Sequence, residues 1–357
     1  MKAYDIRKVT DIRLSGRFDP AQTGFPMMWT GACAEMLVRG STLEVRIQCG
    51  YQTLKPYLSF EVDGLRAQTF CPLKGVHWNN VFLGMEAQTP HRVRITLETQ
   101  AFSGDPASYV ALLTLRTDGG FLPLPKPARR VEFIGDSITS GEGMRGPKSF
   151  MEWLPMCFSA SDNYTRLTAE RLNATYQVVS QSGWGVLCGW NNDVRTTLPA
   201  VYDFICRPAA MESPDGTAHG GEKPYDFSFD PGTVVVNLGT NDSGALNNPP
   251  FTDPATGITH KLTQADFPHF EEACYAFLMH LHEKNPHARL IWAYGICGDV
   301  MAVPLQGAVA RARAQGVDAV YVALPEMNTL RNGTGSREHP GTGAAKKMAE
   351  LIARAAE

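Results

Sequence analysis

Four short segments of this chain carry side chains that together can perform acyl transfer. Ser137 lies in Phe133-Ile134-Gly135-Asp136-Ser137-Ile138-Thr139. A serine hydroxyl is a poor nucleophile at neutral pH and needs a base to take its proton. His339, in Glu338-His339-Pro340-Gly341, is a suitable base. Attack on an ester carbonyl creates an oxyanion, and each preorganised donor aimed at it lowers the barrier by about 3–4 kcal/mol. Three donors are available: the backbone N–H of Ser137, a glycine N–H in Ser180-Gln181-Ser182-Gly183-Trp184-Gly185, and the side-chain amide of Asn241 in Gly239-Thr240-Asn241-Asp242. Asp136 adjoins the nucleophile too closely to be its acid, and reads instead as a side chain that holds the turn through backbone N–H groups.

Each block alone has a bland reading as a turn or cap. Their placement is what favours chemistry. Val131-Glu132-Phe133-Ile134, Tyr176-Gln177-Val178-Val179-Ser180, Thr233-Val234-Val235-Val236-Asn237-Leu238, Arg289-Leu290-Ile291-Trp292-Ala293-Tyr294 and Ala319-Val320-Tyr321-Val322-Ala323 are continuous apolar runs. Such runs suit parallel strands covered on both faces. Helical patterns separate them, over Tyr164 to Leu172, Phe267 to Asn285 and Pro304 to Gln315, with Asp162 and Asp266 as candidate caps of the first two. A last helix is expected from Gly343 to Ala356. Alternating strand and helix predicts a doubly wound α/β domain, in which ligands bind beyond the carboxyl ends of the strands. The Ser137, Gly183/Gly185 and Asn241 blocks each follow such an end.

Residues 11 to about 120 follow a different pattern. Short alternating or β-branched runs, such as 41–47, 57–62, 92–97 and 109–115, recur between turns at Cys49-Gly50, Asp63-Gly64 and Ser103-Gly104-Asp105. This predicts a β-sandwich or jelly roll. Phe121-Leu122-Pro123-Leu124-Pro125-Lys126-Pro127 reads as a stiff connector. The expected division is a β jelly-roll domain over 1–125 and an α/β domain over 126–357.

Composition removes other classes. With 43% hydrophobic and 19% charged residues the chain is globular, and a net charge of -3 gives no basic excess for nucleic acid or an anionic membrane. The start, Met1-Lys2-Ala3-Tyr4-Asp5-Ile6-Arg7-Lys8, lacks an apolar signal core, and the eight cysteines form no CxxC pair. A cytoplasmic location with free thiols is the expectation. His280, His282 and His287 match no metal-binding spacing. Trp184 and Trp190 flank the proposed active-site loop and read either as core or as a sugar-stacking surface.

The four blocks, in order and at the right strand ends, resemble the SGNH (GDSL-type) hydrolase superfamily, named for a Ser, a Gly, an Asn and a His. Here these match Ser137, Gly185, Asn241 and His339. Counting from Val178-Val179 favours Gly185, with Gly183 as the alternative. The resemblance implies a flavodoxin-like SGNH hydrolase domain: a parallel five-stranded sheet with helices on both faces. It covers about 130–357. The superfamily usually has an Asp three residues before the His, where this chain has Ser336. Glu338 or a backbone carbonyl then orients the imidazole, or Ser137 and His339 act as a dyad. Gly16-Arg17-Phe18, Trp29-Thr30-Gly31-Ala32-Cys33 and Val62-Asp63-Gly64, followed by the Gly-Asp-Ser block, are similar to carbohydrate esterase family two, which joins an N-terminal jelly roll to an SGNH domain. That resemblance implies a serine acetylesterase that removes O-acetyl groups from acetylated xylo- or manno-oligosaccharides, without metal or organic cofactor. Its rivals are a GDSL-type lipase or thioesterase acting on short acyl chains, and a non-catalytic carbohydrate-binding protein.

Overall fold

Alternation at period two shapes the first third of the chain into short strands. The computed structural model describes residues 1–210 and 218–357. Eleven strands come first: β1 (Lys2–Asp5), β2 (Arg13–Ser15), β3 (Phe25–Pro26), β4 (Cys33–Arg39), β5 (Thr42–Gly50), β6 (Leu58–Val62), β7 (Leu65–Phe70), β8 (Gly75–Leu83), β9 (Pro90–Leu97), β10 (Tyr109–Thr117) and β11 (Gly120–Leu122). They form two sheets, ordered β1-β10-β5-β8 with β3 on β10, and β11-β4-β9-β6-β7 with β2 on β4. All of these pairings are antiparallel. Inward residues of one sheet (Leu43, Val45, Ile47, Leu112, Leu115) meet those of the other (Met36, Val38, Phe60, Val93, Ile95) in one core, as in a jelly-roll sandwich. Phe121 and Leu122, expected in a connector, extend the second sheet by pairing with β4.

Two compact units emerge: Met1–Lys126 with Asp203–Tyr225, and Pro127–Tyr202 with Asp226–Glu357. The 203–225 segment groups with the sandwich because buried polar side chains of the sandwich bind its backbone. The Trp29 indole N–H donates to Ile205 O at 2.6 Å, and the Arg17 guanidinium donates to Phe204 O at 3.0 Å. Arg17 also stacks 4.0 Å from the Tyr225 ring, and Lys223 pairs with Asp19 at 2.6 Å. Arg17 and Trp29 sit in two of the N-terminal motifs noted above. A contiguous boundary near 125 leaves this excursion out. It has no signature in composition, because its anchors lie some 180 residues upstream.

The second unit holds β12 (Arg129–Gly135), β13 (Ala174–Ser180), β14 (Thr233–Asn237), β17 (Arg289–Tyr294) and β18 (Ala319–Ala323), parallel and ordered β13-β12-β14-β17-β18. That is the flavodoxin-like order. A small hairpin, β15 (Phe251–Thr252) with β16 (Thr259–His260), lies apart from the sheet. The helices are α1 (Ser137–Ser140), α2 (Tyr164–Arg171), α3 (Thr240–Ala245), α4 (Phe267–Lys284), α5 (Ala302–Ala314) and α6 (Thr342–Ala356). Val131, Phe133, Val178, Val235 and Ile291 bury one face of the sheet with Tyr164 and Ala169 of α2 and Ala345, Met348 and Ile352 of α6. Each large apolar side chain so buried contributes about 1.5–3 kcal/mol. The alternate residues Ile134, Val234, Val236, Leu290 and Trp292 are equally buried. Glu132 shares their face; Gln177 Nε2 and Tyr202 Oη donate to its two oxygens at 2.6 Å each, so burial leaves neither acceptor orphaned. The cap of α2 is Asn163, which accepts from Tyr164 N at 2.7 Å, rather than Asp162. Asp266 opens α4 but turns its side chain back to Thr263.

Two stability outcomes follow. A Cβ on Gly135 would lie 1.9 Å from Thr139 Oγ1 and 2.8 Å from Asn237 O. Gly135→Ala therefore costs about 3 kcal/mol or more in urea unfolding; wild-type stability would refute the tight elbow. In the sandwich, Asp105 accepts from the N–H groups of Gln52, Thr53 and Leu54 at 2.7–3.1 Å. Burial alone would push its pKa up, but these bonds outweigh burial and hold the carboxyl below its usual range. Asp105→Ala is expected to cost about 1–3 kcal/mol at neutral pH. Because the folded value is the lower one, that contribution is present above the unfolded value and is lost as pH falls through the folded one. The wild type should thus approach the variant in acid.

Candidate active site

The nucleophile's position is set by the end of β12. After Gly135 the chain turns, and Asp136 accepts from Ile138 N at 3.0 Å, starting the single-turn helix α1 at Ser137. Asn163 closes the other end, its amide donating to Ile138 O at 3.1 Å and Thr139 O at 2.7 Å. Thr139 Oγ1 and Tyr164 Oη are hydrogen-bonded at 2.8 Å, and the Ser140 hydroxyl donates to Ser180 Oγ at 2.9 Å. Every residue of α1 is buried, and Ser137 itself is 7% exposed.

His339 arrives from the other end of the domain. The Ser137 hydroxyl is 2.9 Å from its Nε2. Its Nδ1 is 2.7 Å from Arg337 O. A carbonyl only accepts, so Nδ1 carries the proton and Nε2 is left to accept from serine. The question raised by Ser336 is answered: a backbone carbonyl orients the imidazole. Glu338 is exposed and does not do so. Ser336 is buried and turned away, its N–H and hydroxyl donating to Gly143 O at 2.9 and 3.3 Å. Arg337 and Glu338 hold left-handed backbone angles, φ 52° and 56°. Each such residue costs about 1–2 kcal/mol. The turn is kept by Arg337 N donating to Phe150 O at 2.8 Å and His339 N donating to Ser336 O at 3.1 Å.

The glycine assignment is where the structure departs from the sequence expectation. Gly185 N–H donates to Thr196 O at 3.2 Å, and Gly185 O accepts from Leu198 N at 3.0 Å, forming a bridge with Thr197. Its amide is therefore already paired and not free to meet an oxyanion. Glycine is required there for space: a Cβ would lie 2.1 Å from Cys188 O and 2.5 Å from Asp242 Oδ2. Gly183, the alternative, has no N–H partner among the described residues and accepts only through its carbonyl, from Trp190 N at 3.1 Å. The Asn241 amide donates to Trp184 O at 2.9 Å and to Asp136 Oδ2 at 3.2 Å, which ties the third block to the other two.

Two buried carboxylates beside the site were not singled out from sequence. Asp242 is fully buried and accepts from Val186, Leu187 and Cys188 N–H, so it fixes the loop after β13. Burial pushes its carboxyl up to about 6. Burial, with Asp242 and Glu142 nearby, pushes Asp136 up to about 7. Glu142 is 4% exposed, with Oε1 3.7 Å from His339 Nε2. The letters Asp242 and Glu142 lie beside known blocks, but only their burial marks them. Trp184 is 4% exposed and belongs to the core, whereas Trp190 is 53% exposed with its ring over Gly183.

Comparison with known proteins fits this geometry. Residues 133–357 match the GDSL-like Lipase/Acylhydrolase family. An acetyl xylan esterase from the rumen bacterium Butyrivibrio proteoclasticus superposes with TM-score 0.93 at 34% identity, over 99% of this chain and 96% of that one. A family two carbohydrate esterase from Clostridium thermocellum, in complex with cellohexaose, has the same fold, with TM-score 0.78 at 23% identity over 96% of this chain and 97% of its own. An acetylxylan esterase / glucomannan deacetylase of Cellvibrio japonicus is 32% identical over 209 residues, 56% of this chain and 51% of that protein. This chain spans about half the length of that curated relative. With its family match extending from the nucleophile's strand to the C-terminal helix, the chain belongs to the GDSL-like lipase/acylhydrolase family.

Proposed function

We propose that this protein is a serine carboxylic ester hydrolase that removes O-acetyl groups from acetylated carbohydrates, xylo- or manno-oligosaccharides foremost. The observation that carries the reading is the 2.9 Å bond from the Ser137 hydroxyl to a histidine whose other nitrogen is fixed by a carbonyl. Such a pair activates serine without a third acidic side chain on Nδ1.

In the reaction, Ser137 Oγ bonds to the acetyl carbonyl carbon while its proton passes to His339 Nε2. The tetrahedral intermediate collapses, the bond between the carbonyl carbon and the sugar oxygen breaks, and His339 gives the proton to the leaving sugar oxygen. Water then gives a proton to His339 as its oxygen bonds to the acetyl carbon; the bond from that carbon to Ser137 Oγ breaks, His339 returns the proton to Oγ, and acetate leaves. The oxyanion is assigned to the amides of Ser137 and Gly183 and to Asn241. Both Asn241 hydrogens have partners, Trp184 O at 2.9 Å and Asp136 Oδ2 at 3.2 Å, so the amide reaches the oxyanion by giving up the Asp136 bond, which the Gly185 N–H, held in a backbone bridge, does not do.

Two features favour a sugar over a long acyl chain. The exposed Trp190 ring offers a flat apolar face beside the glycine block. The loop held by Asp242 also borders a cavity of about 180 Å3, apart from Ser137, Asn241 and His339, where Asn192, His260, Lys261, Asp266 and His269 stand beside Leu187, Val194 and Leu262; as a neighbouring subsite such a mixed lining suits a sugar ring better than a long acyl chain. The acetyl xylan esterase and glucomannan deacetylase activities of the similar proteins from Butyrivibrio and Cellvibrio point the same way.

Acetate release from acetylated xylo- and manno-oligosaccharides, with products mapped by NMR, tests the substrate class. Preferred turnover of long-chain p-nitrophenyl esters would favour a lipase. Ser137→Ala should abolish acetate release, and turnover that survives it would overturn the nucleophile. Asn241→Ala should lower kcat by about 10²–10³-fold with little change in KM, as loss of a transition-state donor does; a change in KM alone would remove it from the oxyanion hole.

A further inference from the structure

Proton transfer from Ser137 turns His339 into a cation, and the group on its Nδ1 is an uncharged carbonyl. Where a carboxylate stands in that position, it stabilises the imidazolium. Here a carboxylate lies on the opposite side. Glu142 Oε1 is 3.7 Å from His339 Nε2 and 3.6 Å from Arg337 Nη1, and the Glu142 side chain is only 5% exposed. Its placement is coupled to the nucleophile, because Glu142 N donates to Ser137 O at 3.0 Å and so extends the same turn.

We propose that Glu142 is the acid of this site, a positioning residue that stabilises the His339 imidazolium from the Nε2 side and, through Arg337, holds the carbonyl that orients Nδ1. The inference rests on the Ser137–His339 reading. Before attack, the Nε2 lone pair accepts from Ser137 and the neutral ring offers the carboxylate no positive charge. After proton transfer, Nε2 carries a proton and a charge at a separation where ion pairs in a protein interact strongly. The interaction thus strengthens from ground state to transition state, which is the condition for acceleration. Arg337 limits the field of the carboxylate, but it also keeps Glu142 from swinging onto Nε2 and displacing the serine. Paired with Glu142, the Arg337 side chain helps hold its own residue in the left-handed turn that aims its carbonyl at Nδ1.

The charged and titratable groups around His339 are Glu142 and Asp136 from the nucleophile's turn, Arg337 and the exposed Glu338 from its own loop, and the Cys157 thiol, which hydrogen-bonds Ser336. Burial pushes Asp136 up to about 7, so a rate profile alone does not isolate the imidazole. The test therefore combines kinetics with NMR titration of the His339 ring, assigned by its loss in His339→Gln.

In Glu142→Gln, kcat for acetate release should fall about tenfold or more with KM little changed. The acid limb of kcat/KM and the His339 NMR transition should both move to lower pH, because the imidazolium has lost its anion. Arg337→Gln keeps the carbonyl, frees the carboxylate and should move both to higher pH. Glu142→Asp should restore part of the lost kcat. A His339 transition that stays in place in folded Glu142→Gln would overturn the proposal, even if kcat falls, since a purely structural role lowers activity without moving it. If Glu142→Gln does not fold, an unmoved transition in Arg337→Gln overturns it equally. Failure of the nucleophile reading is separate: it shows as acetate release by Ser137→Ala, while the NMR titration still answers for Glu142.

Discussion

A hydrogen bond of 2.9 Å between Ser137 and His339 joins residues 202 positions apart, and most of the second unit serves to keep it. A serine proton moves only to a base already aligned with it, so both partners must be fixed to within a few tenths of an ångström. On the serine side the fixing elements are β12, the close approach at Gly135 and the turn capped by Asp136 and Asn163. On the histidine side they are a strained turn and its bonds to Gly143 and Phe150, residues that follow the nucleophile's own helix. The two sides are therefore built on each other rather than separately on the sheet.

Charge is the second constraint. Asp136, Glu142 and Asp242 are all buried near the carboxyl ends of the central strands. Burying carboxylates is unfavourable unless hydrogen bonds or cations compensate. Asp242 spends its acceptors on three backbone N–H groups and thereby shapes the loop that carries the glycine block. Asp136 receives one backbone N–H and the Asn241 amide, and burial with two neighbouring carboxylates drives it toward the neutral form. Glu142 keeps an arginine and a histidine within 4 Å. Each carboxylate in this group answers a positional need of the donors or of the base.

Much of this was legible in the sequence. The five apolar runs became the five parallel strands, and Ser137, Asn241 and His339 came together because each follows or faces a strand end, a rule of open α/β sheets. What escaped was carried by backbone groups or by distance. The carbonyl of Arg337 has no letter of its own, so no reading of residue types finds it. Gly185 and Gly183 are two residues apart, and counting along the strand favours Gly185; the pairing of Gly185 N–H with Thr196 O, which no residue type reveals, turns the choice to Gly183. Asn163 rather than Asp162 caps α2, because the capping geometry differs by one residue from the charge pattern. The 203–225 segment joined the sandwich through Arg17 and Trp29, far away in sequence.

The central claim is that acetyl transfer passes through Ser137. Rapid acid quench during turnover of an acetylated oligosaccharide, followed by mass spectrometry of the proteolysed protein, tests it most directly. The account predicts one added acetyl group on the peptide containing Ser137, accumulating before steady state and lost on chase with water. An acetyl group on another side chain, or direct entry of solvent oxygen into acetate with no acylated peptide at any time during a resolved burst of product, would contradict it.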